Sequence, residues 1–300
     1  MIALIFVVLP ITIVNFDSPF FKELCMSSLT NPDRRTVLKT GIATLGAAAA
    51  SQNMFAAPKN PGETRVLFLV GDYWHNGVAQ ESHWRNVLSQ TGWRLMFAQS
   101  SQFVTPNALK QADLFVVARY AGPDSLGWTP KGVIEQRPEP SPWMTDEQED
   151  AIVANVRRGM GLLSMHCTIW NPERKKFMEV LGVTKPTMHG PVQPVKIHSI
   201  NPNHAITKGI GNFDISLDEN FGAELDESRL TLLYKSTGQQ DSRTDNAAWC
   251  RDEGNGRVVA LLFGHIPQPF HTAEAKYLMW NSAHWAMKRD IPAAEFKVGY

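Results

Sequence analysis

The chain has 300 residues, 43% of them hydrophobic and 19% charged, and its 29 Lys+Arg balance 29 Asp+Glu to a formal net charge of zero. This is an ordinary globular profile, long enough for one large core or two small ones. It argues against a nucleic-acid binder, whose phosphate contacts need a basic excess, while leaving a local basic patch open. The three cysteines, Cys25, Cys167 and Cys250, are too few and odd in number for a disulfide framework, with a single Cys167–Cys250 bridge left open.

The chain opens on the apolar stretch "MIALIFVVLPITIV", which is short for a membrane span. Arg34 and Arg35 follow in "NPDRRTVLKTGIATLGAAAASQ". Twin arginines, then Val37, Leu38 and Lys39, then a Gly/Ala-rich stretch and Ala48-Ala49-Ala50 form the twin-arginine export pattern. Such a signal would start near Met26, so residues 1–25 read as an upstream start. Residues 1–50 are therefore set apart as a targeting segment, with the twin-arginine signal at about 26–50, and the expected location is periplasmic or exported. Residues 51–300 read as a single domain.

Along that domain "RVLFLVG" (65–71) is a continuous apolar run ending in Gly and predicts a buried parallel strand. A helical pattern follows with Val78, Trp84, Val87 and Leu88, and Gly92 stops it. "WRLMFAQS" and "DLFVVARY" (113–120) are further strands. Residues 121–143 are rich in Pro and Gly and predict a long loop or insertion. Thr145 with Gln148 forms a capping box, Asp146 and Glu147 suit a first helical turn, and Gly159 ends that helix after Arg157 and Arg158. "GLLSMH" (161–166) is a fourth strand, and Asn171-Pro172 predicts the start of the next helix, which Gly182 closes. This alternation predicts an α/β fold with a doubly wound parallel sheet. Ligands of such sheets bind beyond the carboxyl ends of the strands. Asp72 to Asn76, Arg119 to Gly122 and His166 to Trp170 thus share one rim. In the second half, "VQPVKIHSI", "DISLDENFGAEL", "RLTLLYKS" and "AAWCRDEGNGRVVALLFG" read as strands with a turn at "DEGNG", and Thr272 caps a closing helix.

Several residues on this rim have the chemistry of a site. "GDYWHNG" offers Asp72 and His75 on the first loop, with an exposed turn as the plain alternative. It lacks the Gly spacing and Lys of a phosphate-binding loop. In "GLLSMHCTIW", Cys167 has no flanking Gly and is followed by a β-branched pair, which disfavours the strained elbow of a nucleophile. His166 is the better candidate, as a ligand or acid/base residue. "LDENFGAEL" offers Glu219 and Glu224 as carboxylates for a metal, a proton or sugar hydroxyls. "FGHIPQPFHT" offers His265 and His271 on a loop stiffened by Pro267 and Pro269, without a standard zinc spacing. His204 in "NPNHAITKGI" reads as turn structure. Trp74, Trp128 and Trp170 are candidates to stack on a sugar face.

The segments "GMGLLSMHCTIWNPERKKFMEVLG", "INPNHAITKGIGNFDISLDENFGAELDESRLTLLYKS" and "GNGRVVALLFGHIPQPFHTAEAKYLMWNSAHWAM" resemble, in this order, the ThuA-like family, named for trehalose utilisation. The resemblance covers roughly residues 64–289. It implies a doubly wound, mostly parallel sheet with helices on both faces, of the class I glutamine amidotransferase-like (flavodoxin-like) kind. It also implies the loss of that enzyme class's Cys-His-Glu set, which agrees with reading Cys167 as a substitute for the family's small residue after the His. Carried over, the family pattern falls on His75, His166, Glu219, Glu224 and His265, with His271 in a region where the family is also His-bearing. The first loop and the insertion at 121–143 depart from it.

What the resemblance implies is sugar metabolism, the handling of keto-sugars or glycosides made by a partner sugar oxidoreductase. The expected site has Glu219, Glu224, His166 and His265 as catalytic groups and His75, Asp72, Trp170 and His271 against the substrate. A divalent metal on His166, His265 and His75 is the candidate cofactor. The chemistry expected is proton abstraction beside a carbonyl, or cleavage of an oxidised glycoside, with a Glu as base. A non-catalytic carbohydrate-binding protein is the alternative, and a Cys167 amidotransferase or peptidase is a third. A small-molecule carbohydrate is the expected partner, no nucleic acid is expected, and a homo-oligomer stays open.

Overall fold

The structure is a computed structural model that describes residue 55 and residues 57–122, 128–129, 132–133 and 143–296. The apolar start, the twin-arginine pattern, Cys25, most of the Pro-rich insertion and the Trp128 side chain lie outside the described residues. In chain order the elements are β1 (Arg65–Val70), α1 (Gly77–Leu88), β2 (Arg94–Ala98), α2 (Pro106–Gln111), β3 (Leu114–Ala118), β4 (Trp128–Thr129), β5 (Gly132–Val133), α3 (Asp146–Arg158) and β6 (Gly161–Met165). Then come α4 (Lys175–Leu181), β7 (Val183–Pro186), β8 (Val192–Ser199), β9 (Phe213–Glu219), β10 (Ala223–Leu225), β11 (Thr231–Gly238), β12 (Thr244–Glu253), β13 (Gly256–Leu261) and α5 (Ala273–Ala286).

Nine strands form one sheet in the order β2-β1-β3-β6-β13-β12-β11-β8-β9. The first five are mutually parallel, and β12, β11, β8 and β9 continue antiparallel. Period-two alternation sends the two sets of side chains of each central strand to opposite faces. Leu67 and Leu69 of β1 pack with Leu109, Ile152 and Phe177 from α2, α3 and α4. Val66, Phe68 and Val70 pack with Trp84 of α1 and Met279 of α5 on the other face. Helices thus cover both faces, as the continuous apolar runs require.

Local signals hold where the chain closes its own hydrogen bonds. Thr145 and Gln148 form the capping box of α3, and its cap Gly159 has φ +135°. Thr272 Oγ1 accepts from Ala275 N at the start of α5. The helix after β6 begins at Lys175 and not at Asn171-Pro172. Asn171 instead donates its side-chain amide back to the Thr168 carbonyl at 2.8 Å, and its own carbonyl accepts from Arg174 N at 2.9 Å, so these residues close a turn first. β7 and β10 form a separate two-stranded sheet. Cys167 and Cys250 are both free. Among the described residues no helix is long and apolar enough to cross a membrane.

The antiparallel half is strongly curled. β9 stands five strands from β6, which in a flat sheet at about 4.8 Å per strand is about 24 Å. Yet Glu219, the last residue of β9, lies 3.5 Å from His166, the first residue after β6. Register shifts in the β11–β12 and β8–β9 pairs supply local twist, as bulges do.

α1 and α5 meet the β13–α5 connection at His83. This buried ring stacks on Phe270 at 4.6 Å, with His271 at 6.0 Å. Burial, then the nearby charges of His271 and Lys276, pushes its pKa from 6.5 down to about 4. The unfolded chain therefore takes up a proton before the folded one does. The neutral-His83 contribution is complete above pH 6.5 and is lost as pH falls toward about 4. A His83→Gln variant should show a shallower decline of urea midpoint across that window than the parent. Parallel slopes would show that His83 titrates normally.

Candidate functional site

The site is assembled on the carboxyl rim of the sheet, as expected for this topology. After β1 the chain turns at Gly71, which has φ +74°, and a Cβ there would meet Gly77 Cα at 2.6 Å. Only glycine fits that crossing. The turn buries Asp72, whose carboxylate accepts from the backbone N–H of Trp74, His75 and Tyr120 at 2.8, 3.1 and 2.7 Å. Its oxygens lie 2.7–2.8 Å from His75 Nδ1. The Nδ1–H of His75 donates to Asp72, which leaves Nε2 as an acceptor facing His265 Nδ1 at 3.1 Å.

After β6 there is a sharp elbow despite the missing glycine. The residue with positive φ is His166, at +46°, one position before Cys167. Such a backbone costs about 1–3 kcal/mol and persists only where the surroundings hold it. Here Thr168 Oγ1 lies 2.7 Å from the Met165 carbonyl and accepts from Arg119 N at 3.3 Å. The strained turn disfavoured at Cys167 falls one residue earlier, on His166; both side chains are buried, and Cys167 reaches the cavity over the rim. His166 Nδ1 donates to the Leu262 carbonyl at 3.3 Å, so its Nε2 is bare.

Glu219 and His265 arrive from the curled half and from the end of β13. Gly264, at φ +115°, turns the chain after β13. Asp218, adjacent to Glu219, accepts from Gly264 N and His265 N at 2.8 and 3.0 Å. Glu219 Oε2 then lies 3.5 Å from His166 Nε2 and 3.4 Å from His265 Nδ1. His75 Nε2 and His265 Nδ1 are 3.1 Å apart. The three rings of His75, His166 and His265 sit 5.0–5.3 Å centre to centre. His166, Glu219 and His265 offer donor atoms within 4.8 Å of one another, as do His75, His166 and Cys167, so either set can hold a metal ion.

Burial governs the charges. It pushes His166 down to about 4, so that ring is neutral at physiological pH and its contact with Glu219 is not an ion pair. His265 is lowered for the same first reason, with Glu219 opposing. Burial would raise Glu219, but the surrounding imidazoles outweigh it and hold the carboxyl below its usual range. Burial pushes Asp218 up to about 7 against its backbone donors. Burial, then Asp72 and Glu219, pushes the Cys167 thiol far up. Its sulfur lies 3.6–3.7 Å from the His75 ring nitrogens.

A cavity of about 370 Å³ opens over this cluster. Trp74, Tyr120, Trp170 and Phe221 contribute aromatic walls, and His75, Glu219 and His265 contribute its polar side. Among the expected residues, His75, Glu219, His265 and Trp170 line this cavity, and His166 is buried against Glu219. Three are placed differently. Glu224 on β10 is exposed and pairs with Lys185 of β7 at 3.3 Å. Its neighbour Ala223 takes the buried side of that strand, and alternation turns Glu224 out. Asp72 is buried behind His75 and orients it. His271 faces His83. Sequence reading missed His189, which lies 3.2 Å from Glu219 Oε1 and stacks on Phe221. It follows β7, a strand with no strong sequence signal.

A sequence profile described as "ThuA: Trehalose utilisation" matches residues 65–286. Comparison with curated proteins finds no match. Among solved structures, a ThuA-like protein from Bacteroides uniformis is 16% identical with a TM-score of 0.58, over 77% of this chain and 94% of that one. A ThuA-like protein from Parabacteroides merdae is 15% identical with a TM-score of 0.59, over 77% and 93%. A cytoplasmic protein from Salmonella typhimurium is 15% identical with a TM-score of 0.53, over 74% and 99%. At these identities the likeness concerns the fold.

Replacing Asp218 by Asn leaves a single carbonyl oxygen for two buried N–H donors. The expected cost is about 1–3 kcal/mol, read as a lowered urea midpoint. Unchanged stability would show that the Asp218 contact does not anchor the His265 loop.

Proposed function

The chain belongs to the ThuA family, trehalose utilisation, and from that premise we propose that it converts a carbohydrate in the rim cavity by acid/base chemistry. The carrying observation is the union of aromatic walls with a buried polar cluster in one cavity. Sugar rings present apolar faces to aromatic side chains and hydroxyls to imidazoles and carboxylates. A keto-sugar or a glycoside fits that description, supplied in oxidised form by a partner sugar oxidoreductase. The export pattern around Arg34 and Arg35 supports action outside the cytoplasm.

His75 is the base in this reading, in place of the glutamate expected from sequence. Asp72 holds its Nδ1 at 2.7 Å, which fixes the tautomer with Nε2 as acceptor. Glu219, ionised below its usual range, orients His265 and accepts from sugar hydroxyls. The base takes a proton beside the carbonyl, and a proton returned to the neighbouring carbon or oxygen completes an isomerisation or an elimination of the glycosidic oxygen. A non-catalytic binder is the second reading, supported by the same aromatic walls.

The test pairs turnover with binding on keto-sugars and their glycosides. His75→Asn should lower turnover by about 10²–10⁴-fold while sugar affinity stays near the parent value, and Trp170→Ala should weaken binding. Saturable sugar binding with no turnover by the parent would leave the binder reading. Neither binding nor turnover across both substrate classes would sink the carbohydrate proposal.

A further inference from the structure

We propose that His166, His265 and Glu219 form a mononuclear site for a divalent first-row transition metal, zinc being the first to try, with His75 beside its open face. The proposal goes beyond the carbohydrate reading and does not depend on which sugar enters.

Three observations carry it. The first is spacing. Tetrahedral coordination at about 2.0–2.1 Å places donor atoms about 3.3–3.4 Å apart. Glu219 Oε2 lies 3.5 Å from His166 Nε2 and 3.4 Å from His265 Nδ1. The second is an unsatisfied atom. His166 Nε2 is fully buried, aims into the cluster and makes no hydrogen bond, since 3.5 Å to Glu219 is too long for one. With Nδ1 as the donor to Leu262, the Nε2 lone pair faces Glu219, as a ligand nitrogen's must. The third is the outer layer. His166 Nδ1 bonds the Leu262 carbonyl, His75 Nδ1 bonds Asp72, His189 lies against the second oxygen of Glu219, and Asp218 ties down the backbone of His265. The carbonyl partner on the far nitrogen of His166 fixes its tautomer for metal binding, and Asp72 fixes that of His75 beside the site.

The donors also select the ion. Two imidazoles and one carboxylate suit zinc-like divalent ions and are poorly matched to calcium or magnesium, which prefer oxygen. Three protein ligands leave a coordination position, as catalytic metal sites do. His265 and Glu219 line the cavity together with His75, so that position faces arriving substrate. Cys167 belongs to a competing donor set with His75 and His166. The two sets are separated by the spectrum of the bound metal, since a thiolate ligand gives a sulfur-to-metal band and the His166, His265 and Glu219 set gives none.

The full chain, stripped with a chelator, is titrated with Co²⁺ alone and followed by visible absorption, with Zn²⁺ added in competition. One Co²⁺ per chain is expected, displaced by Zn²⁺, with no sulfur-to-metal charge-transfer band. Glu219→Gln and His265→Ala should each lose about 10–100-fold or more in affinity, at least the loss seen for outer-layer changes. Cys167→Ser should bind as the parent does. His166→Asn removes the third ligand while keeping a side chain that tolerates positive φ, and it should lose affinity with its circular dichroism unchanged. Absence of stoichiometric binding, parent-like affinity in the Glu219 and His265 variants, or a sulfur band removed by Cys167→Ser would each overturn the site. No sugar is present, so this outcome is independent of the carbohydrate assay.

Discussion

The site depends on one carboxylate that does no chemistry itself. Asp218 binds the backbone N–H groups of Gly264 and His265, and it sits beside Glu219 at the end of an edge strand. Through it the far edge of a nine-stranded sheet is fastened to the loop after a central strand. Without the curl, Glu219 would stand at the opposite side of the molecule from His166. The stabilising force is ordinary: two backbone bonds to a buried carboxyl, where leaving either donor unmet is costly.

Asp72 does the same on the other side of the cluster. It gathers three backbone N–H groups and the ring of His75 around one buried carboxylate. Both aspartates act through what they position. Between them three imidazoles and Glu219 converge in a region dry enough to lower His166 and His265. Neutral rings expose lone pairs, and a nearby carboxylate stays ionised. That combination suits proton transfer and metal binding alike.

The sheet's parallel half was legible because its strands are buried on both faces and read as unbroken apolar runs, "RVLFLV" and "LFVVA" among them. Helix ends were legible where side chains cap backbone, as at Thr145 and Thr272. The start of α4 was not, because Asn171 spent its side chain on the preceding turn. The elbow at His166 was not either: absence of glycine argued against positive φ, and tertiary bonds through Thr168 overrode that local preference. Glu219 and Glu224 lie on successive strands of one acidic segment, and only the pairing of β10 with β7 in a separate sheet turned Glu224 to solvent.

By itself the sequence determined the α/β class, the family likeness and the rim on which functional residues gather, because burial periodicity and strand-to-helix order are properties of local chain. Tertiary structure alone decided that Glu219 meets His166, that His189 joins them, that His271 leaves for His83, and that positive φ falls on His166. Those outcomes turn on sheet curl and on bonds between residues such as Asp218 and Gly264, 46 positions apart, a distance over which local pattern carries no information.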